Sequence, residues 1–390
     1  MNSGRHILAQ ILDLVHRETL SRLVSKYNAE SKVRHFGVRQ QLICMAFAQL
    51  TWRNGLRDIE ACLNAKAEEL YHMGFREPVA KSTLADANET RDWRLWEDLA
   101  KNLINRARKL YQGETLGLDL DNTIYALDSS TIDLTMSVFP WAKFRSTKSG
   151  IKLHTLLDLR GPIATCIYIS YAKLSDVNYL DALIFEPGAI YIMDRVYVDW
   201  SRLYQIASAG AFFVIRASKD NLRFTRYKSC PVDKATGLRS DQIGKLMIPK
   251  SRSDFPTHLR KVHFYDKEKQ KHLVFLTNNL QIPALTVAKL YKKRWEIELF
   301  FKWIKGNLEI KHYYGTSANA VKTQIWIAVS LYLMVAILHK NLKLPGSLRN
   351  TLQILSVHPF EKMPLNELLM NAAPKNPNSK NIKQLELFNL

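Results

Sequence analysis

The sequence predicts an α/β protein preceded by an all-helical region, and two observations carry that expectation. Apolar residues recur at helical spacing up to about residue 112, in HILAQILDLVHRETLSRLVSKY, VRQQLICMAFAQLTW and DWRLWEDLAKNLINRARKLY. From about residue 113 they form short β-branched and aromatic runs: NTIYALDSSTIDL, GIKLHTLLDL, PIATCIYIS, AIYIMDRVYV and AFFVIRAS. Gly150, Gly161–Pro162 and Pro187–Gly188 punctuate these runs, and DVNYLDALIFE reads as a helix between the third and fourth. Three strands, a helix and further strands predict a mixed sheet.

Within residues 1–112, Gly55 opens a helix, Gly74 and Pro78 break the chain, and Ser82 can cap the next helix. Short helices around a sharp turn fit a helix-turn-helix with 82–91 as recognition helix. A plain helical bundle with a connecting loop fits the same pattern. Residues 113–217 then form the first part of the α/β core. Residues 218–280 hold short possible strands among many turn residues and read as a β-rich insertion. The helical pattern resumes at Ile282, so 281–345 complete the core. Residues 346–390 give a last amphipathic piece and a polar tail, AAPKNPNSKNIKQLELFNL, expected to be poorly ordered.

A chain of 390 residues can hold two or three domains with sizeable cores. The outlier is charge: 56 basic residues against 36 acidic ones give +20. That excess calls for a polyanionic partner, nucleic acid first and an acidic membrane surface second. No run of about 18 uninterrupted apolar residues exists, and Ile325–Leu338 reads as a core helix. The N-terminus lacks a signal-peptide pattern. Cys44, Cys62, Cys166 and Cys230 have no metal-site spacing and fit reduced thiols in a cytosolic protein. From residue 250 to 311, 14 basic residues against 6 acidic ones leave +8. Tyr265, Tyr291, Trp295, Trp303, Tyr313 and Tyr314 interleave with them, a mixture suited to DNA ends, although aromatics on an apolar face belong to the core.

The densest chemistry lies in LYKKRWEIELFFKWIKGN, Leu290–Asn307. At about 100° per residue, Tyr291, Arg294, Glu298 and Lys305 fall within an arc of roughly 60°. Ile297, Leu299, Phe300, Trp303 and Ile304 take the rest of the circumference. Two more acids end apolar runs: Asp128 in YALDSSTIDL and Asp194 in AIYIMDRVYVDW. An ionised carboxylate beside an apolar strand is costly unless paired or metal-bound. Converging, these three acids would give an oxygen-ligand site for magnesium or manganese, and two such ions about 4 Å apart can act on a phosphodiester. Asp133, Asp158, Asp181 and Asp199 remain rival acids.

Tyr291, Arg294, Glu298 and Lys305 match the spacing Y-(2)-R-(3)-E-(6)-K, and in this the chain resembles DDE transposases of the insertion-sequence family 4 group. LDSSTIDL, the YIMDRxYVD context, the β-rich insertion, FFKWIKGNLEIKHYYG, FAQLTWRNGLRDIEACL and STLADANETRDW extend the resemblance over most of the chain. The resemblance implies an RNase H-like core in which Asp128, Asp194 and Glu298 are catalytic and bind two divalent ions, Mg2+ or Mn2+. It implies that Tyr291, Arg294 and Lys305 handle DNA at the element's end, and that residues 1–112 bind the terminal repeats. The partners implied are the double-stranded DNA of those repeats and of the target, held by a homodimer, with no membrane and a cytoplasmic, nucleoid-associated location. One position departs: Val196 stands where the family commonly has the glycine of D-R-G-Y. That departure is the one hint for a rival, a degenerate transposase acting as a DNA-binding inhibitor or repressor; a further rival is an RNase H-like nuclease without strand transfer.

Overall fold

Helices fill the first 111 residues: α1 (Ile7–Leu12), α2 (Arg17–Lys26), α3 (Val38–Leu50), α4 (Leu56–Asn64), α5 (Ala67–His72), α6 (Lys81–Thr90) and α7 (Arg94–Tyr111). The computed structural model describes residues 4–371 apart from 32, 115, 147, 162, 218–222 and 308–312, so the expected polar tail lies outside the described residues. Gly55 stands at the N-cap of α4, and Gly74 takes φ +100° just after α5, a value that favours glycine. Ser82 does not cap α6. That helix starts one residue earlier, and the Lys81 N–H donates to Glu60 Oε1 of α4 at 2.8 Å instead. The exposed residues of α6 are Lys81, Ser82, Thr83, Asp86, Glu89 and Thr90, a net negative set. Arg91 is buried, donating to Gln41 Oε1 at 2.8 Å and to backbone carbonyls. A helix with this face is poorly made to meet phosphates, and the plain bundle describes the region better.

The sheet contains β1 (Ile124–Leu134), β2 (Lys143–Arg145), β3 (Lys148–Asp158), β4 (Ile163–Tyr171) and β5 (Ile190–Met193). After α8 (Trp200–Ser208) come β6 (Phe212–Arg216), β7 (Phe224–Cys230) and β8 (Leu238–Leu246). After α9 (Pro249–Asp254) come β9 (Leu259–Asp266) and β10 (Lys271–Thr277). The order is β2-β3-β1-β5-β6-β10-β9-β8-β7, with β4 also on β3. β3 runs antiparallel to both β1 and β4, whereas β1, β5 and β6 are parallel. The expected β-rich insertion is therefore no separate module: β10 pairs with β6 and prolongs the same sheet. DVNYLDALIFE gives a 3-10 helix, Asp176–Ala182, rather than an α-helix. Pro187 leaves it little length, and helical stretches this short often adopt the tighter turn.

Alternation along the strands separates two apolar layers. Ile190 and Ile192 face the larger cluster, shared with the helices; Tyr191 and Met193 face the smaller one beside α8. Over the first face lie α10 (Ala284–Lys293) and α11 (Trp295–Asn307). One helix was expected from Leu290 to Asn307; two form, broken at Arg294. There the Arg294 and Ile297 N–H groups bond three residues back, to Tyr291 and Arg294 carbonyls, in a 3-10 step.

The chain ends with α12 (Ala318–Asn341), α13 (Leu348–Val357) and α14 (Leu365–Asn371). By length and composition α12 could cross a membrane, yet 94% of its most apolar window is buried inside the protein. It packs chiefly on α7, and also on α3 and α6, so the boundary expected at residue 112 is not a boundary in space. A helix apolar on all sides needs partners all round, and the N-terminal helices supply them. The two ends of the chain are also tied. Ile7 N–H donates to Glu361 O at 3.0 Å, and Gln10 bonds both Met363 O (2.7 Å) and Leu365 N–H (3.0 Å).

The approach of β8 and β9 to α10 depends on Arg260. It forks onto Asp241 with two bonds of 2.8 Å, and a third donor meets Ile282 O just before α10; both side chains are nearly inaccessible. Breaking a buried pair by removing one partner costs about 3–5 kcal/mol. Asp241→Leu is therefore expected to lower the unfolding free energy read from urea titration by that amount, while Asp241→Leu with Arg260→Met recovers most of it. A single variant within about 1 kcal/mol of wild type would contradict this account of the pair.

Candidate active site

Parallel register brings the two strand acids together. Leu127 of β1 pairs with Met193 of β5, so Asp128 and Asp194 each stand one residue beyond a matched pair. Both share the parity of the residues that face the helical layer, where α10 and α11 lie. The C-terminal ends of parallel strands are where open α/β sheets place ligands.

Arg294, at the break between the helices, links two of the three acids. Its Nη1 donates to Asp128 Oδ2 at 2.8 Å, and its Nη2 bonds Glu298 Oε1 one turn on in α11. Its Nε is buried and has no partner among the described residues. Tyr291 donates its hydroxyl to Asp194 Oδ1 at 3.1 Å. Burial, with Asp194 next, raises the Tyr291 phenol above its ordinary value, so it stays a donor. Lys305 reaches the backbone of β1, donating to Thr131 O at 2.7 Å. All four residues of the expected stripe thus face the middle of β1 or the end of β5. Of the apolar set, Ile297, Phe300 and Ile304 are buried, Leu299 is exposed, and the Trp303 side chain lies outside the described residues. Trp295 is exposed, with the Lys269 ammonium over its ring, whereas Tyr314 is buried and donates to Arg53 O.

Burial pushes the Asp128 carboxyl up to about 6. The Ser129 N–H (2.8 Å) and Arg294 pull it back, and Glu298 and Asp194 push it further up. Loss of water around this carboxyl is thus the main cost of its charge.

The rival acids have other partners. Asp133 is exposed and has the opposite parity on β1. Asp158 is held by Arg160 at 2.6 Å, Asp181 by Arg202 at 2.7 Å, and Asp199 caps α8 through the Arg202 N–H. Val196 sits in a short 3-10 turn, Arg195–Tyr197, and is 53% exposed. It is not among the residues with positive φ, so neither space nor backbone angle requires glycine there.

Two residues of this site escaped the sequence reading. Ile215 of β6 pairs with Met193, which sets Arg216 level with Asp194, and Arg216 acts electrostatically on Tyr291. Its signal was a lone cation ending an apolar run. Thr155 pairs with Asp128 across β1 and β3 and is buried with its hydroxyl unpartnered; nothing in its sequence neighbourhood marks it.

The expected convergence of the three acids on a metal is only partly met. Among the described residues no three His, Cys, Asp or Glu side chains sit close enough to hold an ion, because Arg294 stands between Asp128 and Glu298. The donor chemistry nevertheless fits a hard divalent cation: carboxylate oxygens come from three elements.

Comparison with known proteins agrees with this reading. A transposase DDE domain family matches residues 119–334, and a domain family of unknown function matches residues 3–76. Three relatives carry provisional names as transposases. One, of Sinorhizobium fredii, is 30% identical over 260 residues, 65% of this chain and 70% of that protein. Another, for insertion sequence element IS5377 of Geobacillus stearothermophilus, is 26% identical over 56% of this chain and 57% of its own length. The third, for element IS4SA of Synechocystis, is 23% identical over 67% and 72%. The DDE match takes in Asp128, Asp194, the whole sheet and the Tyr291–Lys305 stripe. The chain belongs to the DDE transposases, of the insertion-sequence family 4 type.

Proposed function

We propose that this transposase binds the terminal repeats of its element, cuts one strand at each end and joins the freed end to target DNA, with Asp128, Asp194 and Glu298 as its catalytic acids. The carrying observation is the pairing of Asp128 and Glu298 through Arg294, with Asp194 beside Asp128 on the neighbouring parallel strand. The strand order, three antiparallel strands followed by two parallel to the first, supports an RNase H-like core.

Asp128, Asp194 and Glu298 would hold two divalent ions, which when bound supply Lewis acidity and a water of lowered pKa. The other residues position the DNA. Arg294 already neutralises two acids, and the same planar fork suits a phosphate. Tyr291 is a protonated phenol able to donate to a phosphate oxygen, and Lys305 brings a compact charge to β1 itself, at Thr131, three residues beyond Asp128. Hydrolysis frees a 3′-hydroxyl, and in-line attack by that hydroxyl joins the ends without a covalent enzyme intermediate. Holding two ends together calls for a homodimer on DNA.

Glu298→Gln is expected to lower Mg2+-dependent strand cleavage by at least about 100-fold and to leave binding to end DNA in place. Cleavage at wild-type rate by that variant would refute the assignment. Asp128→Asn should match it, whereas Asp133→Asn and Asp199→Asn keep cleavage; the reverse order, read on a nicking gel, would move the first catalytic acid elsewhere.

A further inference from the structure

A second cationic site lies far from the acids in sequence, inside the region matched only by a family of unknown function. α1, α2, α3 and the end of α5 enclose an open cleft of about 980 Å³, lined by Arg5, Asp13, Arg17, Arg39 and His72 among others. Its acids are already engaged. Asp13 is forked by Arg5, and Glu30 accepts the Val38 N–H at the start of α3. Arg17 and Arg39 have neither a hydrogen bond nor an ion pair among the described residues. Arg39 is partly buried; burial first, and Arg17 next, lower its pKa, with only Asp13 opposing. Two guanidiniums, one of them partly desolvated, thus face one space with no ion pair of their own among the described residues, beside the carboxylates of Asp13 and Glu30. The second large cleft, of about 690 Å³, differs in its charge count: Arg34, Arg76 and Arg91 are equalled in number by Glu77, Asp86 and Asp92, although none of these arginines is ion-paired with those acids among the described residues.

We propose that the α1–α2–α3 cleft is a docking site for the sugar-phosphate backbone of duplex DNA, gripped by Arg17 and Arg39. The site rests on the DNA-binding reading above and places part of that binding in residues 4–74, away from α6, whose exposed face is net negative. A chain of +20 that acts on DNA needs phosphate contacts outside its acidic catalytic site. Arginine forks match phosphate geometry, and such contacts set position without reading sequence. The cleft is therefore expected to bind arbitrary sequence and to be strongly salt-dependent.

The test titrates the full-length protein against a fluorescent duplex of arbitrary sequence over a range of salt. Losing two phosphate contacts should flatten the slope of log K against log salt by about 1.8 and weaken binding about tenfold. Arg17→Ala with Arg39→Ala is expected to show both effects. Arg34→Ala with Arg76→Ala, in the balanced cleft, is expected to show neither, and an equal effect there would mean that only net charge matters and overturn the assignment. Asp13→Asn removes no cation and frees Arg5; it should tighten binding and steepen the slope by up to about 1. Unchanged slopes in both the Arg17/Arg39 and Asp13 variants overturn this site while leaving the transposase reading intact. Failure of the wild-type protein to bind the duplex at all would remove both.

Discussion

Acids gathered at one end of a sheet repel one another, and the structure around them is arranged to place one cation between them. Like charges about 4 Å apart cost on the order of 4 kcal/mol at the effective dielectric of a protein surface. Asp128 and Asp194 are fixed by the register of β1 and β5 and cannot separate. Glu298 can approach them because the helical layer crosses the same face. Arg294 meets that charge from the break between α10 and α11, where the 3-10 step offsets the two helices. The Arg260–Asp241 fork then ties the start of α10 to the far part of the sheet. Remove the guanidinium, and the strand register would hold the acids in mutual repulsion.

Legibility in the sequence followed the range of each determinant. The stripe of Tyr291, Arg294, Glu298 and Lys305 could be read because helical spacing is local, and a small break at Arg294 does not turn it away from β1. Asp128 and Asp194 stood out because each ends an apolar run that needs a strand. Arg216 and Thr155 did not, since their place beside the acids exists only once three strand registers are set. The β-rich insertion was visible as strands, but its continuity with the main sheet rests on the β6–β10 pairing, joined across some sixty residues. Ser82 was misplaced as a cap because Glu60, twenty-one residues earlier, satisfies the same helix start.

Positive charge is divided between two tasks. Near the acids it is almost wholly paired, as Arg294 and Lys305 show. In the N-terminal helices Arg17 and Arg39 line an open cleft with no ion pair among the described residues. Paired cations hold the architecture of a site; unpaired ones keep a long-range field that draws a polyanion in.

The embrace of the two ends by α12 also sets an order of events in the making of the molecule. Asn319 bonds the backbone of Asn88 and Arg91, and Gln10 waits for Met363 and Leu365, more than 350 residues later. The helices made first cannot close their core until the chain past residue 318 exists, and joining segments so distant in sequence is slow. The apolar faces of the N-terminal helices thus stay without their partner until α12 has been synthesised.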